Sequence, residues 1–283
     1  MYPVVPMLPN FLFIGPDKSG STWIFEALRQ HPEVYVAPSK DIYFFDRYFE
    51  RGIPWYESHF AGAAGRRIIG ELSHDYLFSD KACERIRATI PDVKLLVNLR
   101  NPIERAFSEY LFLRKHGMVG EDFREATDRF PSILSGGQYA RHLERYLARF
   151  PRQAILIQKF EKLKQAPLQF AAELYEFLGV DPSFEPSNKG RSALPAGRAR
   201  APALARMAKS SAIFLRNLGF GRAVGYLKSS SRINRLLFVS YSPHDMPRLA
   251  VDDELWLRNF YLPEVRALEG LLGDRFDAWL EEQ

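Results

Sequence analysis

The chain has 283 residues, 46% apolar and 26% charged, which excludes a disordered or collagen-like polypeptide and is rich enough to build a core. Its one cysteine, Cys83, excludes an intramolecular disulfide, and no stretch approaches the ~18 consecutive apolar residues of a membrane helix. The net charge of +5 is unevenly spread: residues 186–244 hold eleven Lys/Arg and no Asp or Glu, which leaves the remainder at −6 and points to anionic partners.

Residues 1–15 carry no positive charge ahead of their apolar run and hold three prolines, so they read as neither a signal peptide nor a span; a cytoplasmic protein is expected. Phe11 to Ile14 reads as a short buried strand ended by Gly15. Thr22 to Arg29 then reads as a helix, with Trp23, Ile24, Ala27 and Leu28 at helical spacing. Ile68-Ile69 gives a second strand ending near Gly70-Glu71, and Lys81 to Ile90 a helix. Val93 to Leu99 is a buried-strand run, broken at Arg100-Asn101-Pro102 and followed by a helix to about Lys115. Tyr139 to Phe150 is amphipathic, Ala154 to Gln158 is a fourth strand, and Leu168 to Leu178 is a helix stopped at Gly179. Asp252 to Leu280 supplies one or two closing helices. Strands alternating with helices predict an α/β fold, a parallel sheet with helices on both faces, whose ligands bind at the carboxyl ends of the strands.

The segment Gly15-Pro16-Asp17-Lys18-Ser19-Gly20-Ser21-Thr22 follows a strand and opens a helix, the setting a phosphate loop needs. It departs from the G-x-x-x-x-G-K-[ST] form because Ser21 follows the second glycine and the lysine lies inside the loop, at Lys18. At the end of a later strand, Arg100 is followed eight residues on by Ser108. A guanidinium fork and a hydroxyl could therefore converge on one phosphate.

These two elements resemble the 5′-phosphosulfate loop and the 3′-phosphate element of sulfotransferases that use 3′-phosphoadenosine 5′-phosphosulfate (PAPS). Ser39-Lys40-Asp41-Ile42-Tyr43-Phe44-Phe45-Asp46 with Trp55-Tyr56 is similar to the K-E-x-H-F-F-D…W-Y stretch of the glycan-modifying branch, Asp41 standing for the usual acid and Tyr43 for the usual histidine. Glu71 matches the E-x-[ST]-x-x-Y-[FL] pattern of that branch, and Gly137-Gln138-Tyr139, Trp279 and Asn188-Lys189-Gly190-Arg191 also fit.

The resemblance implies one sulfotransferase domain over residues 1–283 with a P-loop nucleotide-kinase-like fold. Residues 11–191 would be the PAPS-binding and catalytic core, 192–245 a basic helical insert or lid, and 246–283 closing helices. PAPS would be held by Lys18, Ser19, Gly20, Ser21, Thr22, Trp23, Arg100, Ser108, Lys189, Gly190 and Arg191, without a metal. Glu71 is the candidate general base, with His74 its rival; Lys18 would sit on the leaving phosphate and His116 near the transferring group. Lys40, Asp41, Asp75 and Tyr139 would meet the acceptor, a glycan or other hydroxyl- or amine-bearing molecule, with a small-molecule or lipid hydroxyl as the alternative. Nucleic acid is not an expected partner, and the basic 198–238 segment suits peripheral membrane contact. A P-loop kinase is the rival enzyme, but it would carry its lysine after Gly20; a non-catalytic anion-binding module would leave Lys18, Glu71 and Arg100 with Ser108 unexplained.

Overall fold

A computed structural model of the protein describes residues 7–189, 197–199, 238–240 and 245–280. In chain order its elements are β1 (Phe11–Gly15), α1 (Ser21–Gln30), β2 (Val34–Val36), α2 (Ile53–Glu57), β3 (Ile68–Leu72), α3 (Asp80–Thr89), β4 (Lys94–Leu99), α4 (Pro102–Lys115), α5 (Phe123–Arg129), α6 (Ser132–Ser135), α7 (Ala140–Leu147), β5 (Ile155–Lys159), α8 (Phe160–Gln165), α9 (Pro167–Leu178), β6 (Gly197–Ala199), β7 (Phe238–Ser240) and α10 (Val251–Leu272). They divide into two compact units, one of Met1–Arg100 with His142–Ala193, the other of Asn101–Arg141 with Leu194–Gln283.

The first unit carries the five-stranded sheet, ordered β2-β3-β1-β4-β5 with all neighbours parallel. Sequence periodicity finds four of these strands. It misses β2, whose three residues Val34-Tyr35-Val36 are too few to show an alternation. The central strands are buried along nearly their whole length, as a sheet covered on both faces requires. Phe11, Phe13, Leu72 and Leu96 of the sheet pack with Trp23, Ile24 and Leu28 of α1 and Phe170, Leu174 and Leu178 of α9 in one apolar core. The chain leaves β1 toward β2 on one side and β4 toward β5 on the other. The crevice at the carboxyl ends of β1 and β4 is therefore the topological switch point where such sheets bind ligands.

Among the described residues the second unit is helical apart from the antiparallel pair β6–β7. Asn101 caps α4, its Oδ1 accepting from the backbone of Ile103 at 2.9 Å, with Pro102 in the first turn. Arg105 is buried on α4; it donates to Glu109 at 2.6 Å and to the carbonyls of Ser132 at 3.0 Å and Ile133 at 2.5 Å, which ties α6 to α4. Tyr261 of α10 donates to the Leu134 carbonyl at 2.8 Å. The expected closing elements are α10 and a short 3-10 turn at Asp277–Trp279. No helix among the described residues is long and apolar enough to cross a membrane.

Candidate active site

The loop after β1 folds as it does because two of its glycines take conformations other residues resist. Gly15 has φ 127°, and a Cβ there would collide with the carbonyl of His74. Gly20 has φ 89°, and a Cβ there would lie 2.7 Å from the Leu163 side chain. Lys18 between them also has a positive φ, 58°. Gly20 caps α1 with no side-chain hydrogen bond, and the first turn of α1 holds no acidic residue. The opening amides of α1 are thus unclaimed by a cap and carry the positive end of the helix dipole.

The loop is held from below by polar groups of β4. Asn98, buried in an otherwise apolar strand, donates to the Ser19 carbonyl, and Arg100 donates to the Lys18 carbonyl at 3.0 Å with its guanidinium 4.7 Å from the Phe160 ring. Ser19 is buried and donates to the Pro16 carbonyl at 2.6 Å, so its hydroxyl shapes the loop from inside. Lys40 reaches the start of α1, its Nζ 3.1 Å from Ser21 Oγ and 3.1 Å from Thr22 Oγ1. Trp23 is withdrawn into the core edge-on to Phe170, and its indole donates to the Asn188 carbonyl at 3.0 Å. Asn188 in turn donates to the Trp23 carbonyl at 3.2 Å and accepts from Gln30 at 3.2 Å, which fixes the loop bearing Lys189 against α1. Lys189 is half-exposed and paired with Glu185 at 2.5 Å. Gly190 and Arg191, and most of the basic 192–245 stretch, lie outside the described residues.

Beside this loop stands an ionic cluster. His74 Nδ1 donates to Asp41 Oδ1 at 2.8 Å, and its Nε2 lies 3.2 Å from both Asp75 Oδ1 and the Tyr43 hydroxyl. Burial alone would lower the His74 pKa, but the charge of Asp41, its hydrogen bond, and the charges of Asp75 and Asp17 override it and raise the value to about 9. The neighbouring carboxylates thus favour the protonated imidazolium, whose nitrogens donate. Arg47 stacks 4.0 Å from the Tyr43 ring centre and pairs with Asp75. Asp41 and Tyr43 both have left-handed backbone, φ 61° and 56°.

Glu71 lies within β3, one residue short of its end, and has no exposed surface. Its Oε1 accepts from the hydroxyls of Tyr56 and Tyr76 and its Oε2 from Ser73, each at 2.8 Å. Burial raises its pKa to about 7, opposed by those three hydroxyls and helped by the negative charge of Asp46. Ser73 Oγ also accepts from the Tyr43 amide at 3.1 Å, and the Asp41 amide donates to the Leu72 carbonyl at 2.8 Å. The carboxylate is a hub that holds the 39–43 turn in its strained shape. Both of its oxygens are buried and engaged. Asp41, 18% exposed, is the carboxylate of this cluster next to the lysine on the phosphate loop.

The remaining expected residues belong to the second unit. Ser108 is half-buried on α4. His116 is the C-cap of the same helix, its Nδ1 2.8 Å from the Phe112 carbonyl and its ring against Phe112. Tyr139 is buried edge-on to Trp279. No cluster of three or more His, Cys, Asp or Glu side chains among the described residues is arranged to hold a metal. Sequence reasoning missed Asn98 and the hub made by Tyr56, Ser73 and Tyr76. The signals were an asparagine inside the largely apolar strand Lys94–Leu99, and Ser73, Tyr76 and Tyr56 standing in the motifs around Glu71 and Trp55.

Residues 8–193 match the family described as sulfotransferase domain. Heparan sulfate glucosamine 3-O-sulfotransferase 6 of Homo sapiens is 33% identical over 180 residues, 61% of this chain and 52% of that protein. Bifunctional heparan sulfate N-deacetylase/N-sulfotransferase 3 of Homo sapiens is 33% identical over 199 residues, 62% of this chain and 23% of that protein. The chain thus spans about half, or less, of the length of these relatives. A sulfotransferase from Alicyclobacillus acidocaldarius shares the fold, with a TM-score of 0.72 and 24% identity over 97% of this chain and all of that one.

Proposed function

The chain belongs to the sulfotransferase domain family, and from that premise we propose that it transfers the sulfuryl group of PAPS to a hydroxyl or amine of a carbohydrate. The observation that carries this reading is the phosphate loop with its lysine inside, Lys18, braced from the end of β4 by Arg100 at the switch point of the sheet. The donor set fits an anionic nucleotide: unclaimed amides at the start of α1, the Ser21 and Thr22 hydroxyls, and the cations Lys18 and Arg100. The sequence pairing of Arg100 with Ser108 assigns both to the 3′-phosphate, with Lys189 as a further contact. Bound there, PAPS supplies a sulfuryl group whose bond to the 5′-phosphate oxygen breaks as the acceptor oxygen or nitrogen bonds to sulfur, releasing adenosine 3′,5′-bisphosphate.

The acceptor's proton goes to a carboxylate, and Asp41 suits the role better than Glu71. Asp41 is partly exposed and adjoins Lys40 in the chain, whereas Glu71 is sealed beneath Tyr56 and Tyr76. His74, protonated, orients Asp41, and Glu71 acts as a positioning residue through Ser73 and Tyr43. Lys18 stabilises the charge that gathers on the leaving phosphate. The glycan acceptor follows from the heparan sulfate relatives and the stretch from Lys40 to Asp46. Transfer from radiolabelled PAPS to a panel of desulfated heparan chains, other glycans and phenols tests it. Lys18→Ala is expected to cut transfer about 10²–10³-fold, the scale of one lost charge-stabilising donor. Transfer to phenols alone would move the acceptor to a small molecule, and no transfer to any acceptor would end the reading.

A further inference from the structure

We propose that Lys40 is a second cation of the cofactor site, resting on the 5′-phosphosulfate end, and not a contact for the acceptor. This rests on the PAPS reading and deepens it.

The case begins with where the ammonium lies. Lys40 Nζ is 3.1 Å from the hydroxyls of both Ser21 and Thr22, the first two residues of α1, and 6.0 Å from the centre of the Phe25 ring one turn on. A helix N-terminus repels a cation, because its unpaired amides carry about half a positive charge. The first turn of α1 offers no acidic side chain to offset that charge. An anion held by those amides and the Ser21 and Thr22 hydroxyls would lie beside the Lys40 ammonium. Lys18 belongs to the loop that leads into the same helix, so two chain segments bring a lysine to this region.

The backbone holds Lys40 there. The Asp41 amide donates to the Leu72 carbonyl at 2.8 Å, and Ser39 Oγ donates to the Lys40 carbonyl at 3.1 Å, so the turn is anchored to β3 on one side and to itself on the other. The positive φ of Asp41 sends the chain from the loop-facing lysine to the His74-facing carboxylate in one residue. Lys40 thus serves the group being transferred and Asp41 the group receiving it. A phosphosulfate, with anionic oxygens on both phosphorus and sulfur, is the ligand class two lysines and a helix start would share.

The test uses the whole chain and two nucleotides, adenosine 3′,5′-bisphosphate and adenosine 3′-phosphate, titrated calorimetrically. Lys40→Met is expected to weaken adenosine 3′,5′-bisphosphate about tenfold, the worth of one charged hydrogen bond. Adenosine 3′-phosphate, lacking the 5′ group, should bind both proteins within about twofold. In the transfer assay kcat should fall while the acceptor KM stays within about threefold, and Lys40→Arg should recover most of both losses. A melting temperature near that of the wild type confirms that the variant is folded; Lys40→Arg carries the comparison if Lys40→Met is not. A rise in acceptor KM with unchanged nucleotide affinity would overturn the inference and return Lys40 to the acceptor. Wild-type protein that binds the two nucleotides equally would instead bring down the PAPS reading, and this inference with it.

Discussion

The loop at residues 15–22 and the turn at residues 39–46 adjoin one another and are built from different materials. The loop is backbone: Gly15, Lys18 and Gly20 take positive φ, and the start of α1 presents its amides. The turn is shaped by side chains from elsewhere, through a chain of hydrogen bonds from Tyr56 and Tyr76 to Glu71, to Ser73, to the Tyr43 amide. A backbone site depends on a few residues in local order. A side-chain site depends on groups brought together over more than thirty residues, and it fails as a unit when one member goes.

The comparison can be sharpened on the loop side with Arg100→Ala. Arg100 donates to the Lys18 carbonyl of the loop and lies over the Phe160 ring of α8. Nucleotide affinity should fall by roughly 1.5–3 kcal/mol, about 10- to 100-fold, with the melting temperature little changed. Calorimetric titration of adenosine 3′,5′-bisphosphate reads this directly. Wild-type affinity in the folded variant would remove Arg100 from the site.

On the turn side the expected effect is smaller and appears as a dependence of stability on pH. His74 holds its proton to about pH 9 in the folded chain against 6.5 ordinarily, so the stability it contributes is full below pH 6.5 and is lost as pH rises through 9. Glu71 is raised from 4.5 to about 7, so its proton favours the folded state at low pH and that contribution fades between pH 4.5 and 7. The melting temperature should therefore decline in two stages. His74→Gln should flatten the upper stage, by about 2–5 °C between pH 6.5 and 9, and Glu71→Gln the lower. Thermal melts across the pH series check this; an upper stage that persists in His74→Gln would place the imidazolium's stabilisation elsewhere.

What could be read in the sequence follows the same division. The strand–loop–helix unit at residues 11–30 and the strand ending just before Arg100 are local, so apolar runs and glycine spacing were enough to find them. Glu71 was legible as an acid near a strand end, but its burial was not, because that comes from Tyr56 and Tyr76 closing over it from two other segments. Lys40 and Asp41 were legible as a pair facing one ligand. The left-handed backbone at Asp41, which no propensity forecasts at an aspartate, was not legible. Val34–Val36 escaped because an edge strand of three residues has no periodicity to display.

In the proposed mechanism the partly exposed Asp41 takes the acceptor's proton and the buried Glu71 holds the turn. Asp41→Asn and Glu71→Gln, compared in the transfer assay with nucleotide affinity and melting temperature measured alongside, test it most directly. Asp41→Asn should lower turnover about 10²–10⁴-fold at unchanged nucleotide affinity, because the amide keeps its place beside His74 but takes no proton, and it should lower the melting temperature by no more than the loss of the His74 ion pair explains. Glu71→Gln should lower turnover less and destabilise the fold by about 1–3 kcal/mol, the cost of disturbing a buried hydrogen-bonded group. A fully stable Glu71→Gln that is inactive, beside an Asp41→Asn that turns over normally, would contradict the account and make Glu71 the base.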